Sequence, residues 1–170
     1  MMTPKLVIVA DLGLLKAYRL ERTPRGTPRL VDLATIRLEE AHHRIVEQVR
    51  DLAGQRGAPT NTAWGAPVTD DHNFRLELKR RLLRKIAGHI QHLASEEDPD
   101  ALWLVVPEEI HHALLEELAS PVRSRVEKVV PRDLVKAPKR DLIEVLCKEE
   151  AGDMETAMPR ATGKSTRNVR

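Results

Sequence analysis

The sequence predicts a three-layer α/β fold, in which a mixed five-stranded sheet has helices on both faces. Two observations predict it. The chain opens with three strand-like segments joined by short turns, and two further apolar segments lie later in the chain, next to helical patterns. Short turns join antiparallel strands, whereas parallel strands need a longer crossover, usually a helix. We therefore expect one sheet that contains both strand directions, with helices packed on its faces.

The five strands are predicted from continuous or alternating runs of apolar residues. The first three form an antiparallel meander, because TPRGTP at residues 23–28 is a hairpin-type turn. The last two are short apolar runs of the kind that is buried within a sheet. The predicted strands are Leu6–Ala10, Leu15–Glu21, Leu30–Leu38, Ala101–Val106 and Val126–Val130.

Four helices are predicted from apolar spacing and from helix-start signals. The second of them follows a loop at residues 54–67, which contains three Gly and two Pro, and begins near Thr69 or Asp70. The element order is therefore βββααβαβα. The predicted helices are Glu39–Ala53, residues 69–95, one that begins at Pro107 with two acids in its first turn, and Pro138–Glu149.

The length of 170 residues indicates one domain, which we place at residues 1–150. The polar residues 151–170 are expected to form a disordered tail. Cys147 is the only cysteine, which excludes a disulfide framework. The apolar run at residues 6–10 is too short for a signal sequence or a membrane span, so we expect a cytoplasmic protein with no membrane partner. The oligomeric state stays open.

Positive charge is concentrated in one segment, residues 75–85. This segment has six basic residues and one acid, so it carries +5, whereas the rest of the chain carries −3 and the whole chain +2. A local positive field of this kind attracts polyanions. The basic residues are Arg75, Lys79, Arg80, Arg81, Arg84 and Lys85.

The basic segment lies in the second predicted helix, and its helical spacing separates charged from apolar residues. Arg75 and Lys79 are in line with the apolar face but nearer the N-terminus, so we expect that end of the helix to extend beyond the sheet into solvent. The other four basic residues point away from this face, which favours contact with a phosphate backbone. An ordinary solvated helix face is the alternative. The predicted apolar face consists of Leu82, Leu83, Ile86, Ala87, Ile90 and Leu93.

Three segments resemble the bacterial host attachment proteins, a family named for attachment to host cells. They are LVIVADLGLLKAYRLE, ALWLVVPEEIHHALLEEL and VEKVVPRDLVKAPKRDLIEVL. That family is similar to the middle domain of archaeal and eukaryotic class-one release factors. The resemblance implies a ribonuclease-H-like sheet, a long basic helix after a functional loop, and rRNA or tRNA at the ribosome as the partner.

The loop that precedes the basic helix is where a release factor carries Gly-Gly-Gln. This chain has TAWGAPV there and no Gly-Gly-Gln, so the resemblance implies binding without peptide release. We therefore expect Trp64 and Gly65 to contact the partner together with the basic helix. A tryptophan in such a loop also serves as an anchor on the core, and this alternative stays open.

Asp11 ends the first predicted strand, in the segment VADLG. An acid at this position is compatible with a metal-dependent hydrolase or nuclease of ribonuclease-H-like type. Such a site needs several converging carboxylates, and only Asp32 is a further candidate. A turn-forming role beside Gly13 is the simpler interpretation. We expect no catalytic residue, no metal and no small-molecule cofactor.

Three hypotheses about function follow from the sequence. The first is a non-catalytic protein that binds ribosomal or transfer RNA. The second is the metal-dependent hydrolase that would use Asp11. The third is a protein-interaction module with an indirect role in attachment to host cells.

Overall fold

The computed structural model of the protein describes residues 5–41 and 68–156. Each predicted strand is confirmed, with bounds that differ by two residues or fewer from those expected. The three strands of the meander lie near the N-terminus and the two others after the long helix. They are β1 (Lys5–Ala10), β2 (Leu14–Arg22), β3 (Pro28–Arg37), β4 (Ala101–Val106) and β5 (Val126–Pro131).

The helices of the described residues are α1 (Val68–Glu97), α2 (Glu108–Glu117), α3 (Ser120–Arg123) and α4 (Lys139–Thr156). The long basic helix and the helix after Pro107 are confirmed. The short α3 was not predicted, since four residues are too few to give a periodic pattern. Residues 39–41 are helical, as predicted, and the rest of the predicted helix Glu39–Ala53 lies outside the described residues.

The last predicted helix is confirmed, but it extends further than the expected end at Glu149. Residues 151–156, which were placed in the tail, continue α4 past Glu149. A glycine such as Gly152 costs a helix only about 1 kcal/mol, and Ala, Met and Glu around it are good helix formers. Residues 157–170 lie outside the described residues.

The contacts divide the chain into two compact units, Met1–Lys136 and Ala137–Arg170. The first contains the sheet with α1, α2 and α3, and the second contains α4. The domain boundary at residue 150 stays a prediction.

The five strands form one mixed sheet in the order β3-β2-β1-β4-β5. The meander is antiparallel, with β1 paired to β2 and β2 to β3. On the other side of β1 the pairing is parallel, from β1 to β4 and from β4 to β5. The predicted sheet with both strand directions is therefore confirmed.

Both faces of the two central strands are buried. On one face, Leu6 and Ile8 of β1 and Leu104 of β4 pack in a core with the apolar face of α1. Val7 and Val9 alternate with them, point to the opposite face, and have no exposed surface either. Burial on both faces explains why β1 and β4 are continuous apolar runs rather than alternating ones.

The turn between β2 and β3 is also the one predicted from TPRGTP. Its Gly26 has a φ of 80°, a conformation that favours glycine. The Gly26 N–H donates to the carbonyl oxygen of Thr23 at 2.8 Å, which closes the turn.

Candidate functional site

The apolar face predicted for α1 is its buried face. All six predicted residues are buried, and Ile86 and Ile90 have no exposed surface. This face packs on the sheet, so the orientation of α1 is set by apolar burial. Because the buried face is fixed, the opposite side of the helix is turned to solvent. The four basic side chains that were predicted to face solvent on this side are exposed: Arg80, Arg81, Arg84 and Lys85.

Near the N-terminus of α1, residues 73–77, among them Arg75, are exposed to solvent, as the charge pattern predicted. Phe74 and Leu76 are the large apolar residues with the highest exposure in the described part of the chain, at 42% and 45%. They are two positions apart and so lie on nearly opposite sides of the helix. This end of α1 therefore offers both charge and apolar surface.

Among the basic side chains of α1, Lys79, Arg84 and Lys85 have partners on neighbouring segments. The ammonium group of Lys79 donates to the carbonyl oxygen of Glu109 at 3.2 Å. Lys85 Nζ lies 2.5 Å from Glu40 Oε1, and Arg84 Nε lies 3.7 Å from Glu117 Oε2. Exposed ion pairs such as these contribute little to stability, but they orient the side chains and reduce the local charge.

Arg80 and Arg81 differ from these three. Neither makes a hydrogen bond or an ion pair to any residue within 5–41 or 73–151. Both side chains are exposed to solvent. An arginine guanidinium can bind two phosphate oxygens at once, so this exposed pair is a candidate anion-binding feature of α1.

The two predicted contacts in the preceding loop, Trp64 and Gly65, lie outside the described residues. Whether they extend the basic surface of α1 stays a prediction.

Asp11 has the turn-forming role. Its Oδ1 accepts hydrogen bonds from the backbone N–H groups of Gly13 and Leu14, both at 2.7 Å. These bonds turn the chain between β1 and β2, because the carboxylate replaces a backbone acceptor.

The structure does not bring Asp32 to Asp11. Asp32 lies on β3 opposite Tyr18 of β2, and Tyr18 in turn lies opposite Val7, in the middle of β1. Two strand spacings, about 10 Å, therefore separate Asp32 from β1, and Asp11 is at the far end of that strand. In the described part of the chain, no group of three His, Cys, Asp or Glu side chains is placed to hold a metal ion. The convergence that a two-metal hydrolase needs is absent from these residues.

Replacing Asp11 by Ala is expected to lower the free energy of unfolding by about 1–2 kcal/mol, because two backbone N–H groups lose their acceptor. Asp11→Asn keeps a carbonyl oxygen at the same position, so its stability should stay within about 0.5 kcal/mol of the wild type. Urea denaturation followed by circular dichroism measures both. Equal losses in the two variants would show that the negative charge, and not the acceptor, stabilises the turn.

An open groove of about 610 Å³ lies beside α1, and the sequence did not predict it. Pattern analysis missed it because its walls come from the end of β3 and the middle of α1, which are far apart in the chain. The one signal in the sequence was a glycine inside a helical pattern, Gly88. The lining residues are Arg37, Leu38, Glu39, Glu40, Leu82, Lys85, Gly88 and His89.

The family model described as "protein required for attachment to host cells" matches residues 6–146 of this chain. The chain belongs to this family. The resemblance of the three quoted segments to host attachment proteins is thereby confirmed, from β1 into α4. A search of curated proteins gives no match for this host-attachment family member.

Among the helices of the described residues, none combines the length and the apolar character needed to cross a bilayer.

Proposed function

We propose that this host-attachment family member is a non-catalytic RNA-binding protein of the cytoplasm, which contacts rRNA or tRNA at the ribosome through α1. One observation carries the proposal. Arg80 and Arg81 are exposed beside Arg84 on the side of α1 opposite its buried face, and the first two have no partner within the described residues. Clustered arginines on a rigid helix suit the regular phosphates of a nucleic acid.

The topology of the sheet supports the same proposal. We propose that the sheet is ribonuclease-H-like, because its order β3-β2-β1-β4-β5 combines an antiparallel meander with two strands parallel to β1. The middle domain of class-one release factors resembles such a sheet and has a basic helix after its functional loop. In this chain α1 has the corresponding charge and follows the segment with Trp64 and Gly65.

The scarcity of aromatic residues defines the type of RNA contact. Four aromatic residues in the whole chain do not provide a surface that stacks many bases. Contact through phosphates needs only Lys and Arg, and it gives affinity that depends strongly on salt. The proposal therefore predicts binding that salt weakens.

A protein-interaction module with an indirect role in attachment is the second candidate. One observation favours it, the exposure of Phe74 and Leu76 at the N-terminal end of α1. Aromatic residues such as Phe74 are enriched in protein interfaces, whereas phosphate contacts need Lys and Arg. Binding that persists at high salt, and that is lost when both residues are replaced by Ser, would favour this candidate over RNA.

Co-sedimentation with purified ribosomes tests the proposed function. We expect the wild type to pellet with ribosomes at low salt and to stay in the supernatant at high salt. Replacing Arg80, Arg81 and Arg84 by Glu should abolish pelleting, because it reverses three charges at the surface.

A charge-matched control lies on the hairpin, where Arg22, Arg25 and Arg29 are also exposed. Replacing these three by Glu changes the net charge by the same amount and should leave pelleting unchanged. Failure of the wild type to sediment, or equal behaviour of the two triple variants, would contradict the proposal.

A further inference from the structure

Gly88 has no structural reason to be a glycine in the described part of the molecule. It lies well inside α1, is exposed, and has helical backbone. A Cβ built at this position meets no described atom within 4 Å. Glycine in a helix interior is unfavourable relative to alanine, because glycine loses more backbone conformational freedom when the chain folds. The missing side chain therefore leaves room for close approach by a partner at this point of α1.

Gly88 belongs both to the side of α1 that carries the arginines and to the wall of the groove. Positions 81, 84 and 88 follow the i, i+3, i+7 spacing of one helix side, so Gly88 continues the side that carries Arg81 and Arg84. At 1.5 Å per residue, Arg84 is about 6 Å and Arg81 about 10 Å from it along the helix axis. Gly88 is also part of the groove wall, next to Lys85 and His89. A partner that crosses α1 at Gly88 would reach both features.

The lining of the groove can hold a nucleoside, because it combines apolar surface with acidic and basic side chains. Leu38 and Leu82, both buried, supply apolar surface. The carboxylates of Glu39 and Glu40 can accept hydrogen bonds from hydroxyl or amino groups, and Arg37 and Lys85 in the same lining balance their charges. The groove volume of about 610 Å³ is within the range of pockets that hold small molecules, about 300–1,000 Å³.

We propose that α1 binds single-stranded RNA, with phosphates on Arg81 and Arg84, the sugar–phosphate backbone crossing the helix at Gly88, and one unstacked nucleoside in the groove. This inference rests on the proposed RNA-binding function. It specifies a single strand because a duplex keeps its bases stacked inside. The ribose 2′-hydroxyl is a donor that the groove carboxylates accept, so RNA is preferred to DNA of the same sequence.

Fluorescence anisotropy with a short, labelled, mixed-sequence single-stranded RNA tests the inference. Gly88→Leu places a side chain at the crossing point and should weaken binding about tenfold, which corresponds to about 1.4 kcal/mol. The same change should raise the melting temperature by about 2–4 °C, because leucine is the better helix former and nothing opposes its side chain. A gain in thermal stability with a loss of affinity separates a role in binding from a role in folding.

Ser95→Leu is the matched control. Ser95 is exposed on the same helix and lies outside the groove, so added bulk there should leave affinity unchanged. Equal losses in both leucine variants would overturn the assignment to Gly88, as would a Gly88→Leu protein that melts below the wild type.

Two further outcomes distinguish this inference from the function on which it rests. If the Arg80, Arg81 and Arg84 triple variant loses RNA and Gly88→Leu does not, then α1 binds RNA without contact at Gly88, and only the inference fails. If the wild type binds no RNA at low salt, both fail. Equal affinity for single-stranded RNA, duplex RNA and single-stranded DNA would contradict the nucleoside in the groove.

Discussion

Replacing Trp103 by Ala is expected to lower the free energy of unfolding by about 3–5 kcal/mol, the range found for large aromatic residues in protein cores. Trp103 lies on β4, between β1 and β5, and is only 2% exposed. Its register partner on β1, Val7, has no exposed surface, so removal of the indole would leave a cavity beside a fully buried part of the sheet. Because the total stability of a domain is only about 5–15 kcal/mol, this one change would remove a large part of it.

The contacts of the indole ring add to the effect of burial. Its Nε1–H donates to Glu127 Oε2 at 2.7 Å. The ammonium groups of Lys5 and Lys128 lie 4.6 Å and 5.7 Å from the ring centroid, within the range of cation–π attraction. Lys5 also forms an ion pair with Glu127 at 3.5 Å. The contacts of the ring thus connect β1, β4 and β5 through side chains, in addition to the backbone pairing of these strands.

Trp103→Phe is the control for this prediction. It keeps an aromatic face for the two lysines and loses the N–H and part of the volume, so we expect about 1–2 kcal/mol of destabilisation. Urea denaturation should be followed by far-ultraviolet circular dichroism, since the substitution removes one of two tryptophan fluorophores. A loss below about 1 kcal/mol for Trp103→Ala would mean that the core closes around the cavity.

Removing the charges of Arg80, Arg81 and Arg84 is expected to reduce RNA affinity on the order of a hundredfold at low salt, if the proposed function holds. Glutamine is the suitable replacement, because it keeps a polar chain and introduces no repulsion. Each phosphate contact contributes about 0.7 to 0.9 to the slope of log K against log salt, so the slope should decrease in magnitude by about 2 to 3. Anisotropy titrations at several salt concentrations measure both quantities.

The slope of log K against log salt is more informative than the affinity alone. A general effect of lower net charge would also appear in the variant with Arg22, Arg25 and Arg29 replaced by Gln, whereas loss of direct phosphate contacts would not. An unchanged slope in the α1 variant would show that these arginines do not contact phosphate, even if binding were weaker. A change near one unit would mean that a single arginine carries the contact.

The strands and the orientation of α1 could be predicted because their causes are local. An apolar run such as Leu6–Ala10 indicates a buried strand whatever lies beside it. The spacing of Ile86 and Ile90 fixes the buried side of α1, and the exposure of Arg80 and Arg81 follows from it. Patterns within one element therefore predicted which basic residues face solvent.

The partners of these residues could not be predicted, because they come from distant segments. Glu40 precedes α1 and Glu117 follows β4, yet the two acids lie beside Lys85 and Arg84. The groove has the same origin, since Arg37 and His89 line one groove only after the sheet and α1 have packed. The role of Asp11 could not be decided from the sequence for a different reason. A carboxylate that forms a turn and one that binds a metal are the same residue type in the sequence.

The strand order has a consequence for how the molecule folds. Within the meander the partners are close in sequence, as Arg22 and Pro28 are at the hairpin, so these strands can pair early. The neighbouring pair of β1 and β4 joins Lys5 to Ala101, and the whole of α1 lies between them. The entropy of loop closure therefore opposes this one junction most strongly. The strands of the meander thus pair with partners that are close in sequence, whereas β1 and β4 are far apart in sequence. We expect the slow step of folding to be the pairing of β1 with β4.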